Sequence, residues 1–279
     1  MSQIDYSDLK QEINSYSVRN LEQRKNWYSP AAEAYNKARP KYPQELIRQV
    51  IEITQLSSSS QILEVGCGPA TATGAFAQLG SAMVCLEPNP DFYQLAQQNC
   101  NQYANVKIQN TSFEEWILEA DRFDAVLAAS SFHWIPQDVA YPKSAQALHR
   151  NGSLILLWNK ELQPSYEVYQ SLSEVYQLNA PSLNRYEDRE TQERILQGLG
   201  QIVEDSGLFK NLVSGHVESK VTYTVDEYLT LLNTYSPYLK LNHRSKEALF
   251  KRLRDKIECD FGGSLSLSYI SAFHVAQRC

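Results

Sequence analysis

The chain has little of what marks several large protein classes. Its 279 residues hold five cysteines (Cys67, Cys85, Cys100, Cys259, Cys279), odd in number, scattered and without a Cys-x-x-Cys spacing. That usage reads as reduced thiols in a cytosol rather than a disulfide framework. No apolar run approaches the roughly 20 residues needed to span a bilayer, and the polar N-terminus does not read as a signal peptide. Basic residues are in deficit, 26 against 32 acidic ones, giving a net charge of -6. Phosphate backbones require a clustered basic face, so nucleic acid is not expected as a partner. None of the five histidines shows metal-ligand spacing, and no metal is expected. No internal repeat is present, and the serine run at 57–60 is the one low-complexity tract. What remains is 43% hydrophobic and 21% charged. This is the composition of a soluble, cytoplasmic globular protein, long enough for one large domain or a domain with an insert.

Against that background one stretch stands out, QILEVGCGPATATG at 61–74. Ile62, Leu63 and Val65 read as a buried strand, Glu64 as an acid near its end, and Gly66-x-Gly68 as a tight turn into a helix. Glycines let the backbone approach a ligand, and a helix start offers unpaired N–H groups. A dinucleotide fingerprint needs a third glycine where Thr71 stands. A carboxylate two residues before the first glycine would also repel a pyrophosphate, whereas it suits a ligand with a positive end such as an α-ammonium group.

On either side, strand and helix signals alternate. A polar helical arm (1–25) leads to a helix at 31–38 that Pro40 stops, and Pro43 opens another at 43–54. After the glycine turn come a helix at 71–79 closed by Gly80, a strand at 82–87, and a helix capped by Asn89 with Pro90 in its first turn. A strand at 106–110 is followed by Ser112-Phe113-Glu114-Glu115, which matches a capping box for a helix to about residue 120. Strands at 123–130 and 153–159 flank a helix at 139–149 that ends at Asn151-Gly152. This rhythm predicts an α/β fold, a doubly wound, mostly parallel sheet with helices on both faces. Beyond 159 it breaks into amphipathic helices at 166–177 and 190–205, a strand at 213–224, helices at 226–232 and 245–257, and a closing strand at 265–275.

Ligands of such sheets bind beyond the carboxyl ends of the strands. Glu64, Glu87, Ser112 and Ser130 all fall there. Glu87, which precedes Pro88 at the end of the second strand, is placed to accept hydrogen bonds from a ribose diol.

The motif Glu64-x-Gly66-x-Gly68-x-Ala70 resembles motif I of class I S-adenosylmethionine (SAM) methyltransferases, with Ala70 where the family has its third glycine. Tyr35-x-x-x-Arg39-Pro40-x-Tyr42-Pro43, Ser131-Phe132-His133-Trp134 and Tyr223-Thr224-Val225-Asp226-Glu227-Tyr228 resemble signatures of its type 11 small-molecule branch, which includes trans-aconitate and cantharidin methyltransferases. The resemblance implies a Rossmann-like sheet of seven strands in the order 3-2-1-4-5-7-6, the seventh antiparallel. It implies an arm or flap over 1–42 and a methyltransferase domain over 43–279, with a helical cap insert at about 160–206. It also implies SAM as cofactor. Glu64, Gly66 and Gly68 would hold its methionyl part, Glu87 the ribose, with Pro88 beside it also among the cofactor-binding residues, and Ser112 and Phe113 would flank the adenine. Ser130 would line the methyl side, and Tyr28 and Arg39 would approach the carboxylate end.

Methyl transfer needs positioning and, for many acceptors, a place for a proton. A carboxylate acceptor needs no base, being already ionised. His133 is the candidate catalytic base or acceptor-orienting group, and its rival role is to pack beside Trp134 and shape the pocket. Trp134, Tyr28 and Tyr235 are candidate aromatic walls. The expected partner is a small-molecule acceptor methylated at oxygen, carboxylate or hydroxyl, in a monomer or homodimer with no stable membrane insertion. Carbon methylation, a cyclopropane-fatty-acid-synthase-like reaction and a non-catalytic SAM-binding module remain alternatives. A nicotinamide-dependent oxidoreductase is disfavoured by Thr71 and Glu64.

Overall fold

The structure, a computed structural model, describes Leu9 and residues 15–279. Most of the first half of the expected N-terminal arm therefore lies outside the described residues. The strands are β1 (Gln61–Val65), β2 (Ala82–Leu86), β3 (Val106–Gln109), β4 (Phe123–Ala129), β5 (Leu148–Asn159), β6 (Gln163–Pro164), β7 (Phe209–Thr224) and β8 (Ser264–Arg278). The principal helices are α1 (Leu21–Lys25), α2 (Ala32–Ala38), α3 (Gln44–Thr54), α4 (Thr73–Ala77), α5 (Pro90–Cys100), α6 (Gln137–Ala147), α7 (Tyr166–Asn179), α8 (Arg189–Asp205), α9 (Val225–Leu232), α10 (Ser236–Leu239) and α11 (His243–Phe261).

Parallel pairing runs β3-β2-β1-β4-β5, and β8 joins β5 antiparallel with Ile155 opposite Val275. On its other edge β8 pairs β7. The two-residue β6 continues the β5 side of β8, at Ser268 and Leu267. Counting β6 as that continuation, the predicted order 3-2-1-4-5-7-6 is the one found.

Alternation along β1 sorts the core into layers, because successive side chains face opposite sides of a sheet. Leu63 and Val65 join Ala140 and Tyr141 of α6 and Leu196 and Val203 of α8. Ile62 joins Leu46 of α3, Phe76 of α4 and Ala96 of α5. Ile62, Leu63, Leu127, Leu154 and Ile155 are fully buried, each such side chain stabilising the fold by about 1.5–3 kcal/mol. A third core gathers α7, α9 and α11 against Leu265 and Leu267 of β8. Of the two helices in the segment 160–206, α8 packs on the sheet and α7 belongs to this C-terminal cluster.

The helix expected from Ser112 to about residue 120 does not form. The capping contacts exist: Ser112 Oγ accepts the Glu115 amide and donates to the Glu115 carboxylate. The ammonium of Lys143 takes the carbonyls of Glu114 and Trp116, which a helix would have offered to later amides. The result is a single turn that buries Phe113 and Trp116. The helix expected at 139–149 begins and ends two residues earlier, and Leu148 is already strand, paired with Phe123. The register then skips, with Ala125 opposite Ser153, so Asn151-Gly152 is a bulge within β5 rather than a helix end.

Candidate functional site

The C-terminal ends of β1, β2, β4 and β5 open onto a cavity of about 350 Å³, within the size range of small-molecule sites. Its floor is the turn after β1. Gly66 has φ +67°, and a Cβ there would lie 2.7 Å from the Cβ of Ser131, so only glycine fits. Gly68 has φ +58° and nothing within 4 Å of where its Cβ would stand. Ala70, in the position of the motif's third glycine, also adopts a left-handed conformation at φ +66°.

Glu64 does not line this cavity. It shares a face of β1 with Ile62, and its carboxylate lies beneath the turn, where Oε2 accepts the Cys85 thiol and Oε1 has no partner among the described residues. Burial pushes its pKa up to about 7, against the opposing influence of the nearby Thr73 hydroxyl and the Cys85 thiol. A direct grip of Glu64 on a ligand's ammonium group, the expected contact, is not offered by this orientation. Alternation along the strand explains it, since the cavity opens beyond Val65.

Glu87 is in place. It is buried on the cavity wall beside Pro88, its Oε2 accepting the Gly68 amide at 2.7 Å and its Oε1 the Asn89 amide at 2.8 Å. Burial outweighs these two amides and raises its pKa to about 7. Each oxygen keeps a lone pair for a further donor. Asn89 caps α5 by accepting the amides of Asp91 and Phe92, and its own side-chain amide donates to the carbonyl of Lys25 and the hydroxyl of Ser29.

Ser112 and Phe113 reach the same cavity, Phe113 stacked on Trp116 with ring centroids 6.1 Å apart. Ser130, at φ +54°, shares a hydrogen bond of 2.9 Å with the Tyr42 hydroxyl. Tyr28 bonds Ser236, and burial holds its phenol up at about 12. Arg39 donates to both the hydroxyl and the carbonyl of Thr234 and lies over the rings of Tyr235 and Tyr35. It therefore fastens the chain after α2 to the segment before α10 while lining the cavity.

His133 sits in the 3-10 turn Phe132–Trp134 after β4, among the rings of Tyr16, Trp134 and Trp158. Its Nδ1 is buried without a partner among the described residues, and burial lowers its pKa to about 4. The imidazole is thus neutral at pH 7 and a weak base.

The structure adds residues that sequence reasoning missed. Trp158 and Asn159 line the cavity from the end of β5, where the same strand-end rule that found Glu87 would have found them. Tyr42 stands in a signature of the sequence, but nothing there points to its bond with Ser130. Arg24 gave no signal: its guanidinium bonds Glu114 at 2.5 Å and the Trp134 carbonyl at 2.6 Å, partners far along the chain. Lys25 pairs with Glu22 and Glu115. These contacts draw α1 across the loops that follow β3 and β4.

Residues 62–152 match the family model of a methyltransferase domain. A protein of Mycobacterium tuberculosis named as an uncharacterized methyltransferase is 30% identical over 132 residues, 47% of this chain and 51% of its own. The chain spans about half the length of such curated relatives. One from Schizosaccharomyces pombe, also named as an uncharacterized methyltransferase, is 23% identical over 227 residues, 80% of this chain and 84% of its own. Among solved structures, one assigned as a type II methyltransferase of Anaeromyxobacter dehalogenans superposes with a TM-score of 0.63 at 18% identity, covering 86% of this chain and 97% of that one. Phosphoethanolamine N-methyltransferase 2 of Haemonchus contortus gives 0.51 at 12% identity, covering 92% and 58%. The fold is the Rossmann-like α/β fold of class I methyltransferases.

Proposed function

We propose that the chain is a SAM-dependent methyltransferase that delivers a methyl group to a small-molecule acceptor at oxygen. The observation that carries this reading is Glu87. It is a buried carboxylate on the cavity wall at the end of β2, bonded to the amide of a left-handed glycine at the end of β1. A nucleoside diol presents two donors to such a carboxylate, and a diphosphate would be repelled by it. The matched methyltransferase domain spans this whole region, and Haemonchus neighbours of the same fold were solved with S-adenosylhomocysteine and with SAM.

When bound, SAM supplies a methyl group on a sulfonium. In this reading the turn at Gly66 and Gly68 admits its backbone-hugging tail, with Glu64 buried below the turn. Glu87 and Pro88 meet the ribose, Ser112 and Phe113 flank the adenine, Ser130 lines the methyl side, and Tyr28 and Arg39 bound the carboxylate end. Residues 1–42 act as a flap on the domain 43–279, the described part of that flap being held by Arg24, Lys25 and Asn89. The weak basicity of His133 favours an acceptor that arrives ionised, a carboxylate, over a hydroxyl that must lose its proton at the site.

Calorimetric titration with SAM, S-adenosylhomocysteine and NAD tests the cofactor, and a screen of carboxylic acids and phenols with methyl-labelled SAM tests the acceptor. Binding of NAD without SAM overturns the reading. SAM binding with no labelled product across the screen makes the chain a binding module.

A further inference from the structure

Two residues that line the cavity each carry a buried polar atom with no hydrogen-bond partner among the described residues: Nε1 of Trp158 and Nδ1 of His133. They belong to neighbouring positions in the fold. β4 and β5 are adjacent parallel strands with Ala129 opposite Leu157. The last residues of β5 therefore lie beside the turn that follows β4, and the rings of Trp158 and His133 are 5.8 Å apart at a 40° tilt. Trp158 is only 8% exposed.

An unsatisfied buried donor costs about 1–3 kcal/mol, and native structures pair nearly all such groups. An indole N–H can only donate, while a neutral imidazole nitrogen either donates or accepts. A ligand group that satisfies both must therefore offer a lone pair to Trp158. Carboxylate and hydroxyl oxygens do. A protonated amine has no lone pair and leaves the indole orphaned, a loss that discriminates strongly in a buried site. Ile135 and Leu199 close the surroundings with apolar surface, which strengthens a hydrogen bond made there.

We propose that Trp158 Nε1 and His133 Nδ1 together form the acceptor subsite, a two-point seat for an acceptor oxygen in which Trp158 selects oxygen over a protonated amine. The proposal rests on the methyltransferase reading of this cavity. Its rival is a resident water in the recess of about 20 Å³ that Phe132, Ile135 and Leu156 form beside the two rings, room for one such molecule.

The test uses protein carrying ¹⁵N-labelled tryptophan. Its four indole N–H signals come from Trp27, Trp116, Trp134 and Trp158, and Trp158→Phe assigns the last. If that variant does not fold, single replacements of the other three assign it by elimination. Protein saturated with S-adenosylhomocysteine is titrated with benzoate, phenol and benzylamine, and the series is repeated without cofactor. Benzoate and phenol are expected to move the Trp158 signal downfield, benzylamine to leave it in place. His133→Phe is expected to weaken the benzoate response about 3- to 10-fold, the loss of one hydrogen bond. A Trp158 signal that ignores both oxygen probes, or follows benzylamine equally, overturns the subsite and leaves the water in possession. Failure to bind SAM in calorimetry sinks the methyltransferase reading instead, and the cofactor-free series still decides the oxygen seat.

Discussion

The amide of Gly68 donates to Oε2 of Glu87 across 2.7 Å, so one carboxylate ties the turn after β1 to the end of β2. Its other oxygen holds the Asn89 amide at the start of α5. Glu87→Ala is expected to weaken SAM binding by about 1–3 kcal/mol, the range for hydrogen bonds to a charged group. It should also lower Tm, because two amides lose their acceptor. Titration calorimetry and a melting curve on the same sample separate the two effects. A lowered Tm with unchanged affinity takes the ribose role away from Glu87.

Glu64 makes stability depend on pH in an uncommon direction. Its folded pKa of about 7 stands above the ordinary 4.5, with burial as the main cause and nearby Glu87 adding to it. A raised carboxyl binds its proton more tightly when folded. It contributes stability that is fully present below about pH 4.5 and is lost as pH rises through 7. Glu87 acts in the same window and the same direction. Tm should therefore fall between pH 5 and pH 8. Glu64→Gln keeps the shape and removes the titration, so it should flatten that slope and melt above the parent protein at pH 8. An unchanged slope would mean that the carboxyl is not desolvated in solution.

The two glycines of the turn should respond differently to a methyl group. At both, the left-handed backbone strains an alanine by roughly 1–2 kcal/mol. At Gly66 the new Cβ also meets Ser131 at 2.7 Å, adding about 1–3 kcal/mol of overpacking. Urea unfolding should show Gly66→Ala losing clearly more stability than Gly68→Ala at equal m-values. Equal losses would show that the Ser131 loop yields. Ala70, already left-handed, shows that the turn accepts such strain at a site where a methyl group fits.

The features legible in the sequence are those whose causes are local. The strand-turn-helix of 61–77 follows from a β-branched and aliphatic run met by glycines, and α5 from Asn89-Pro90, which caps and starts it within four residues. Where a distant side chain decides, local signals mislead. Ser112 and Glu115 form their capping contacts, yet Lys143 takes the carbonyls that a helix would need. The site shows the same division. Glu87 was readable from its place at a strand end. The turning of Glu64 away from the cavity follows from strand alternation along β1, a local cause that the motif masks. The neutrality of His133 comes from burial among rings contributed by the N-terminal arm and β5, which no spacing encodes.

Arg24 joins α1 to two loops at once, through Glu114 and the Trp134 carbonyl. The ion pair is 10% and 18% exposed, dry enough to matter where a surface pair would not. Arg24→Ala should loosen the arm, with faster amide exchange over residues 20–28 and faster SAM release in stopped-flow. A cycle with Glu114→Ala should give a coupling of about 0.5–3 kcal/mol. Coupling near zero would leave the arm held by Lys25, Asn89 and its other contacts rather than by this ion pair.

His133 offers a sharper division between roles. If it orients the acceptor as a neutral group, His133→Ala lowers kcat by more than it weakens SAM binding, since the ribose and adenine contacts proposed above lie at the end of β2 and in the loop after β3. With the imidazole pKa near 4, the kcat profile of the parent protein between pH 5.5 and 8 carries no limb belonging to His133. His133→Gln, which retains hydrogen bonding without titrating, should then keep both the shape of the profile and more activity than the alanine variant. A limb near the ordinary histidine pKa that disappears in His133→Gln would instead make the residue a general base, its imidazole reached by charge or solvent once acceptor is bound.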